Sequence, residues 1–300
     1  MKIGYPCINL TVNCRTSKTF RLKNYSEERL IETIENNLNC LAKILEFNYN
    51  NNIFFFRITS DLIPFASHSI MKFGWQEHFK SKFKEIGAYL KKNSMRITMH
   101  PGQYTVLNSK NDKVVQNSIK GLNYHADVLD LLGLDPNAKI ITHVGGVYGD
   151  KKNSIKRFIE RYEKLNEHIK KHHVIENDDK YYQLKDCLLI NESTEIPIVL
   201  DSYHHYCLNQ GESLEKAIEL ITKTWKTRDG LPILHYSSEH PYKGKYRHAD
   251  EIDLNHFKSF LKKTVNFNFD LMLEIKEKEK SALFVVKYLI NDIRFNQNII

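Results

Sequence analysis

Residues 139–146 read Lys-Ile-Ile-Thr-His-Val-Gly-Gly, a short apolar run that ends in a histidine and two glycines. The apolar character is nearly continuous and does not alternate, which is typical of a strand buried on both faces of a parallel sheet. In barrels of parallel strands, the active site is built at the carboxyl ends of the strands. We therefore interpret 139–144 as a buried strand and His143 as a candidate functional residue.

Seven other runs of this kind occur along the chain, at 2–5, 53–59, 95–99, 173–176, 198–201, 232–236 and 269–275. Amphipathic stretches predict helices at 27–47, 74–92, 116–132, 154–171, 181–191, 213–225, 254–264 and 281–291. We expect Ser154 to cap its helix, and Asp178 and Asp179 to cap the helix near residue 181. Strict alternation of strands and helices indicates a parallel sheet, and eight units suggest closure. We predict an α/β fold, a single (β/α)8 TIM barrel over residues 1–300, with 294–300 as a candidate tail.

The composition indicates a soluble globular protein, with 41% hydrophobic and 27% charged residues. A net charge of +8 favours a polyanionic partner. Five scattered cysteines without a CxxC pair argue against a disulfide framework and a thiolate zinc site, and they fit a reducing cytoplasm. The first residues resemble no signal peptide, and no apolar run is long enough to span a membrane. We expect a cytoplasmic protein.

The carboxyl ends of six consecutive predicted strands carry His, Glu or Asp. These residues are His100, His143, Glu176, Asp201, His235 and Glu274, with His204, His248 and Asp250 in the loops beyond. Any one of them alone could be a hydrogen-bonded structural residue or a helix cap. Several carboxylates at one barrel mouth would repel each other strongly unless cations lay between them. The pattern therefore predicts a metal cluster at the mouth of the barrel.

Mixed imidazole and carboxylate ligands suit Mn²⁺ or Zn²⁺. A site with several metals suits in-line displacement at a phosphate, because the metals stabilise the attacking and leaving oxygens. Serine and thiolate nucleophiles do not stand out in the sequence, so we expect water to attack. We interpret Cys207, close to His204, as a small buried residue.

Seven motifs in this order resemble the UV damage endonuclease family, which is related to the endonuclease IV barrels. They are Gly-Tyr-Pro-Cys-Ile-Asn-Leu at 4–10, His-Pro-Gly-Gln-Tyr at 100–104, Thr-His-Val-Gly-Gly at 142–146, Glu-Asn-Asp-Asp at 176–179, Asp-Ser-Tyr-His-His at 201–205, His-Tyr-Ser-Ser at 235–238 and His-Ala-Asp at 248–250. The resemblance covers nearly the whole chain. It implies a (β/α)8 barrel that binds up to three divalent metal ions.

The resemblance also implies a role for each ligand. Glu176 would bridge one metal, held with His100 and His143, and a second metal. The second metal would be held by Asp201, His235 and Glu274 as well, and a third by His204 and His248, with Asp250 as a weaker candidate. We expect Glu176, His235 and Glu274 to carry catalysis.

The activity implied by the resemblance is incision of DNA immediately 5′ of a UV photoproduct, leaving a 3′-hydroxyl and a 5′-phosphate, with abasic sites as a second substrate. Gln103 and Tyr104 match a pair that resembles a damage probe, and Tyr5 and Asn9 match positions that line the lesion pocket. From the residues alone, Gly-Gln-Tyr could be an ordinary loop, and Tyr5 a packing residue at the barrel end. The expected partner is damaged double-stranded DNA. We expect a monomer without a nucleotide cofactor.

Basic residues occur in the loops predicted near the mouth. They include Lys110, Lys113, Lys151, Lys152, Lys243, Lys245 and Arg247, and they are candidates for phosphate contacts or simply a solvated surface. Arg57, at the end of the second predicted strand, is the best single candidate to bind a phosphate or another ligand. The sequence departs from the family at Ile233, where relatives commonly carry a lysine. The sequence does not predict how this substitution affects metal preference and rate.

Three other functions remain open from the sequence. A metal-dependent sugar isomerase or epimerase uses a similar barrel with similar ligands. A dedicated abasic-site endonuclease is closer in chemistry. A damage-binding protein without catalysis is the third, for which the missing lysine at position 233 is the only indication.

Overall fold

The computed structural model describes residues 1–296. Within that range eight parallel strands close into a barrel in sequence order, with the first strand paired to the second and the eighth. The strands are β1 (Ile3–Pro6), β2 (Phe55–Ile58), β3 (Arg96–Met99), β4 (Lys139–His143), β5 (His173–Glu176), β6 (Ile198–Asp201), β7 (Ile233–Tyr236) and β8 (Asp270–Leu273). Each strand lies inside, or within one residue of, the run that predicted it. The (β/α)8 barrel expected from the sequence is confirmed.

Helices surround the barrel between successive strands. Over the described residues they are α1 (Glu27–Asn50), α2 (Trp75–His78), α3 (Lys80–Lys92), α4 (Asp112–Leu131), α5 (Lys151–Glu163), α6 (Glu167–Lys170), α7 (Leu184–Thr194), α8 (Ser202–Cys207), α9 (Leu214–Thr222), α10 (Leu254–Lys263), α11 (Glu279–Tyr288) and α12 (Ile293–Asn296). Every predicted helix overlaps one or two of these. Helix α8 was not predicted, since a helix of six residues is too short to show a period.

The helix starts differ from the prediction in two places. The cap of α5 is Asp150, whose carboxylate accepts from the Asn153 backbone N–H at 3.0 Å, so the expectation for Ser154 was wrong. Ser154 lies inside α5, where its hydroxyl donates to the backbone carbonyl of Val147. Helix α7 is capped by Gln183 and not by Asp178 or Asp179. The Asp178 carboxylate instead accepts from the backbone N–H of Lys180 in the turn before that helix.

The barrel interior is arranged in layers, because alternate side chains of each strand point inward. The middle layer is an apolar cluster of Phe55, Ile141, Val174, Val199, Ile233 and Met272. Below it, at the amino ends of the strands, buried ion pairs join Arg96 to Asp270 at 2.8 Å and Lys139 to Asp229 at 2.5 Å. Two residues above the apolar layer, along the same strands, stand Arg57, His143, Glu176, Asp201, His235 and Glu274. One apolar layer thus separates the structural ion pairs from the candidate site.

The structure contains one feature that the sequence analysis argued against. Cys14, in the loop after β1, forms a disulfide with Cys40 on α1, 26 residues later in the chain. The sequence analysis argued against a disulfide framework and did not predict this single bond. The pairing depends on how the loop folds back onto the helix, and the spacing of scattered cysteines carries no information about that approach.

The carboxyl-terminal residues are packed on the barrel up to residue 295. Phe295 is buried, and the Arg294 guanidinium donates to the backbone carbonyl of Thr264 at 2.7 Å. The candidate tail, predicted from residue 294, is therefore anchored at its start, and residues 297–300 of it lie outside the described range. None of the helices described is long and apolar enough to cross a membrane.

Candidate metal centre

The first group of candidate ligands joins the ends of β3, β4 and β5. Ligand atoms of His100, His143 and Glu176 all lie within 4.8 Å of one another. His100 Nε2 is 3.2 Å from Glu176 Oε2. His100 Nδ1 lies 3.0 Å from the backbone carbonyl of Pro101, which can only accept, so Nδ1 carries a proton. Both ring nitrogens of His100 thus face oxygen acceptors, and a cation bound at Nε2 would take the place of a ring proton directed at Glu176.

The second group joins the ends of β5, β6, β7 and β8 and shares Glu176 with the first. Its members are Glu176, Asp201, His235 and Glu274, again with ligand atoms within 4.8 Å of one another. His235 Nδ1 is 2.8 Å from Glu176 Oε1 and 3.3 Å from Glu274 Oε1. Because Glu176 offers one carboxylate oxygen to each group, it lies where a bridging ligand between two cations would have to lie.

Two histidines beyond the strand ends face each other at the edge of the second group. The rings of His204 and His248 have centroids 5.6 Å apart. Nδ1 of His204 lies 3.0 Å from the Asn177 carbonyl, and Nδ1 of His248 lies 3.1 Å from the Glu274 carbonyl. Each carbonyl holds the proton on Nδ1, which leaves Nε2 of both rings as the nitrogen able to bind a ligand.

Asp250 does not join this pair. Its carboxylate is paired with Lys243 at 3.2 Å, with His240 at 3.0 Å and with Lys276. Three donors compete for its oxygens, and the structure brings it into a basic surface loop instead of the cluster. A role for Asp250 as a metal ligand therefore has no support from the geometry.

Charge within the cluster is balanced among buried groups. Burial opposes ionisation of Glu176, but the imidazoles of His235 and His143 hold the pKa of this carboxyl well below its usual value. Burial raises the pKa of Asp201. Burial also works against protonation of His204, but the nearby carboxylates, Asp201 foremost, raise the pKa of that imidazole to about 9. The His204 imidazolium and the Arg57 guanidinium thus offset carboxylates that would otherwise repel each other.

Two unsatisfied atoms show that a cation fits. His143 Nδ1 and Asp201 Oδ2 are buried and have no hydrogen-bond partner among the residues described. A buried polar atom without a partner costs on the order of 1–3 kcal/mol, so such atoms in a native site call for an explanation. One of these atoms belongs to each ligand group. Divalent cations bound in the two groups would satisfy both.

Asn177 is a positioning residue that the sequence analysis did not single out. Its side-chain amide donates to the Asp201 carbonyl at 3.1 Å, and its side-chain oxygen accepts from the Asp201 backbone N–H at 2.9 Å. Its own carbonyl orients His204. Asn177 therefore fixes the end of β6 against β5. The sequence feature that could have identified Asn177 is its position directly after Glu176, in the Glu-Asn-Asp-Asp motif.

The residues expected to contact a lesion divide into two classes. Gln103 and Tyr104 are exposed on the loop after β3, with 82% of Tyr104 accessible. Tyr5 is fully buried between β1 and α1, where its hydroxyl donates to Asn48 Oδ1 at 2.7 Å and accepts from the Asn9 amide at 2.8 Å. This geometry favours the packing alternative for Tyr5. A contact of Tyr5 or Asn9 with DNA stays a prediction.

Arg57 and Ile233 lie at different depths of the barrel. Arg57 is buried at the mouth and pairs with Glu274 at 2.7 Å, so it is part of the candidate site and not a free phosphate contact. Ile233 packs in the apolar layer two residues below His235. The position that departs from the family pattern thus lies under the second ligand group.

Comparison with known proteins identifies relatives over almost the whole length. The family described as UV-endonuclease UvdE matches residues 1–298. The UV DNA damage endonuclease of Clostridium perfringens (strain 13 / Type A) is 42% identical over 291 residues, covering 96% of this chain and 71% of that protein. The crystal structure of SacUVDE superposes with a TM-score of 0.93 at 44% identity, covering 98% of this chain and all of that one.

A sugar epimerase is also similar in structure. The D-psicose 3-epimerase from Clostridium cellulolyticum H10 has a TM-score of 0.53 at 14% identity, covering 86% of this chain and 89% of that one. At that identity the likeness shows the barrel fold alone. The family match over residues 1–298 and the curated relative are far more specific, and they agree with the motifs that end the strands. The chain belongs to the UV-endonuclease UvdE family.

Proposed function

We propose that this protein is a DNA-repair endonuclease that cuts the phosphodiester bond immediately 5′ of UV photoproducts, both cyclobutane dimers and 6-4 photoproducts, leaving a 3′-hydroxyl and a 5′-phosphate. Abasic sites are a second substrate. The observation that carries the proposal is the sharing of Glu176 between two ligand groups at the barrel mouth. Membership of the UV-endonuclease family supports the choice of DNA as the substrate.

The ligand groups would hold up to three divalent cations, Mn²⁺ or Zn²⁺. His100, His143 and Glu176 would bind the first, Glu176, Asp201, His235 and Glu274 the second, and His204 with His248 the third. Bound there, the cations would supply Lewis-acid stabilisation of charge on the scissile phosphate and lower the pKa of the attacking water. The buried atoms His143 Nδ1 and Asp201 Oδ2 support this assignment.

The protein's own residues position the reaction. Asn177 holds Asp201 and His204 in place, and the carbonyl of Pro101 fixes the ring of His100. Glu176 and Glu274 approach His235 from the same side, which concentrates negative charge where a substrate phosphate needs cations. We assign the catalytic roles to Glu176, His235 and Glu274.

We assign recognition of the lesion to the loop after β3. Gln103 and Tyr104 project from the rim of the barrel on a short turn closed by the Thr105 N–H donating to the Gly102 carbonyl at 2.9 Å. A dimerised pyrimidine pair stacks poorly, so separating it costs less than separating an intact step. An exposed aromatic side chain beside an amide can occupy the space that opens.

The test is incision of a labelled duplex that carries one cyclobutane dimer, with Mn²⁺ and with EDTA, beside undamaged and abasic duplexes. We expect one Mn²⁺-dependent cut directly 5′ of the dimer and a second activity on the abasic duplex. Cutting of the abasic duplex alone would assign a dedicated abasic-site enzyme. No cutting of either duplex, with Mn²⁺ demonstrably bound, would overturn the proposal in favour of sugar chemistry or a damage-binding role.

Two variants make the test specific to the site. Glu176→Gln removes the charge of the shared carboxylate and should lower turnover by at least about 10³-fold, the scale on which a shared charged group in an active site contributes. Glu192→Gln makes the same change on the exposed face of α7 and should leave turnover unchanged. Equal activity of both variants would contradict a catalytic metal centre.

A further inference from the structure

A second exposed aromatic side chain stands at the barrel mouth. Among the large hydrophobic side chains described, Tyr242 is the most exposed at 91%, and Tyr104 follows at 82%. Tyr104 lies on the loop after β3, and Tyr242 on the loop after β7. In a barrel of eight strands in sequence order, β3 and β7 are four strands apart and therefore opposite each other. The two tyrosines flank the candidate metal centre from opposite sides.

The loop that carries Tyr242 is an ordered arm, which we define as residues 239–250. Its base is a short antiparallel bridge between Glu239 and His248. The His240 N–H donates to the Arg247 carbonyl at 2.8 Å, which continues that pairing. Farther out, the Tyr246 N–H donates to the hydroxyl of Tyr203 at 3.1 Å and ties the arm to α8. An exposed aromatic ring held on a fixed backbone loses little conformational freedom on binding.

The tip of the arm is capped by one buried histidine. Nδ1 of His240 accepts from the backbone N–H groups of Tyr242 and Lys243, at 3.1 and 3.2 Å. That requires the proton on Nε2, which lies 3.0 Å from Asp250 Oδ2. Asp250 pairs in turn with Lys243 and Lys276. The network fixes the direction of the backbone at Tyr242 and holds Lys243 and Lys276 at Asp250.

A basic cavity lies against the arm. A cavity of about 550 Å³ is lined by Lys243, Tyr246, Arg247, His248 and Lys276. Its cations fit the phosphates of a nucleic acid strand, and His248 places the cavity at the edge of the candidate metal centre. An exposed ring on the same arm as a group of cations is the combination with which proteins bind unpaired nucleotides, through stacking and backbone contacts.

We propose that the arm is a second DNA-binding element, in which Tyr242 stacks on a base unpaired by the lesion while Lys243, Arg247 and Lys276 bind phosphates of the same strand. The proposal rests on the proposed function, because it assigns a further contact with the same damaged duplex. It gives the enzyme two aromatic contacts, Tyr104 on one side of the cluster and Tyr242 on the other. A helix opened at the lesion would be held from both sides.

The experiment measures equilibrium binding of fluorescent duplexes, with and without one cyclobutane dimer, in EDTA so that no cutting occurs. Tyr242→Ala should weaken binding to the dimer duplex by roughly 5- to 100-fold, the range that loss of one base-stacking aromatic produces. Tyr242→Phe keeps the ring and should restore most of that affinity. Tyr288→Ala removes a partly exposed tyrosine from the outer helix α11 and serves as the matched control.

The phosphate contacts have a separate readout. Lys276→Gln should reduce the slope of log affinity against log salt by about one, as expected for one phosphate contact. Wild-type affinity in Tyr242→Ala would overturn the proposal, and so would an equal loss on damaged and undamaged duplexes, which would mean that the ring reads no unpaired base. If the wild-type protein neither prefers nor cuts the dimer duplex, the proposed function itself is refuted, and with it the role of the arm. If the wild type does both and Tyr242→Ala matches it, the arm alone is refuted.

Discussion

The guanidinium of Arg57 lies 2.9 Å from Nε2 of His235 and 2.7 Å from Oε1 of Glu274. A guanidinium can only donate, so Nε2 of His235 accepts and its Nδ1 carries the proton toward Glu176. A cation bound at Nδ1 would need that proton to leave and Nε2 to be protonated instead. Nε2 could then no longer accept from Arg57. Arg57 and a cation in the second ligand group therefore compete for the same histidine and the same carboxylate.

Arg57→Met should accordingly strengthen metal binding. Removing the competing charge should raise the affinity of the second site for Mn²⁺ by about tenfold, which corresponds to ~1.4 kcal/mol. Titration calorimetry with Mn²⁺ in the absence of DNA measures this directly. Arg228→Met removes an exposed arginine at the opposite end of the barrel and should have no effect. Equal or weaker Mn²⁺ binding in Arg57→Met would refute the competition.

The positions of the ligands were predicted from the sequence because each stands at the carboxyl end of an apolar run, and the alternation of side-chain direction along a strand explains why they point inward. Each of Ile141, Val174 and Val199 is followed two residues later by His143, Glu176 and Asp201, so an inward apolar residue predicts the next inward position. Alternation also explains Tyr5. It lies one residue beyond the inward Gly4 and therefore points outward, to the helices. The register of β1 thus places Tyr5 among the core side chains, and its contact with a lesion stays a prediction.

Contacts between segments that are far apart in the chain could not be predicted from the sequence. The pairing of Arg57 with Glu274 joins the second and last strands, and it depends on closure of the barrel and on side-chain rotamers. The disulfide depends on the path of one loop. The cap formed by His240 depends on a β-bridge of single residues, which has no sequence period. Local patterns thus predicted where each strand ends, and tertiary contacts decide what each side chain does there.

Tyr104 should contribute to selectivity for damage. Tyr104→Ala removes the exposed ring on the loop after β3, so the preference for a dimer duplex over an undamaged duplex should fall by roughly 5- to 100-fold. A 2-aminopurine placed opposite the lesion reports base opening, and its fluorescence increase on binding should be smaller than with the wild type. Tyr104→Phe should behave like the wild type in both measurements. If Tyr104→Ala keeps the wild-type preference for the dimer duplex, the segment at 102–104 is an ordinary loop and not a damage probe.

Asp270 should matter for stability and not for the site. It is buried at the amino end of β8, where it accepts from Arg96 at 2.8 Å and from the Lys2 backbone N–H at 2.7 Å. Asp270→Ala leaves Arg96 buried without its partner carboxylate, which should lower the free energy of unfolding by about 3–5 kcal/mol. Urea denaturation measures the loss. Because the apolar layer separates Asp270 from the cluster, the folded variant should bind Mn²⁺ as the wild type does, and weaker binding would contradict that separation.

The Cys14–Cys40 disulfide should stabilise the fold through the unfolded state. It closes a loop of 26 residues between the segment after β1 and helix α1. Cross-linking a loop of this length removes chain entropy worth about 3.5 kcal/mol, so reduction should lower the melting temperature by several degrees. The Cys14→Ser/Cys40→Ser double variant should melt at the lower temperature whether or not a reductant is present. Cys207→Ser changes a buried free thiol and keeps the disulfide, so the melting temperature of this variant should still fall when a reductant is added.

Thiol titration in denaturant decides whether that bond forms in the isolated protein. Oxidised protein should show the thiols of Cys7, Cys187 and Cys207 only, and reduced protein should show all five. Cys187 and Cys207 are buried in the native structure, so the count must be made on the unfolded chain. Five reactive thiols before any reduction would show that the bond is absent, and the expected stabilisation would fall with it.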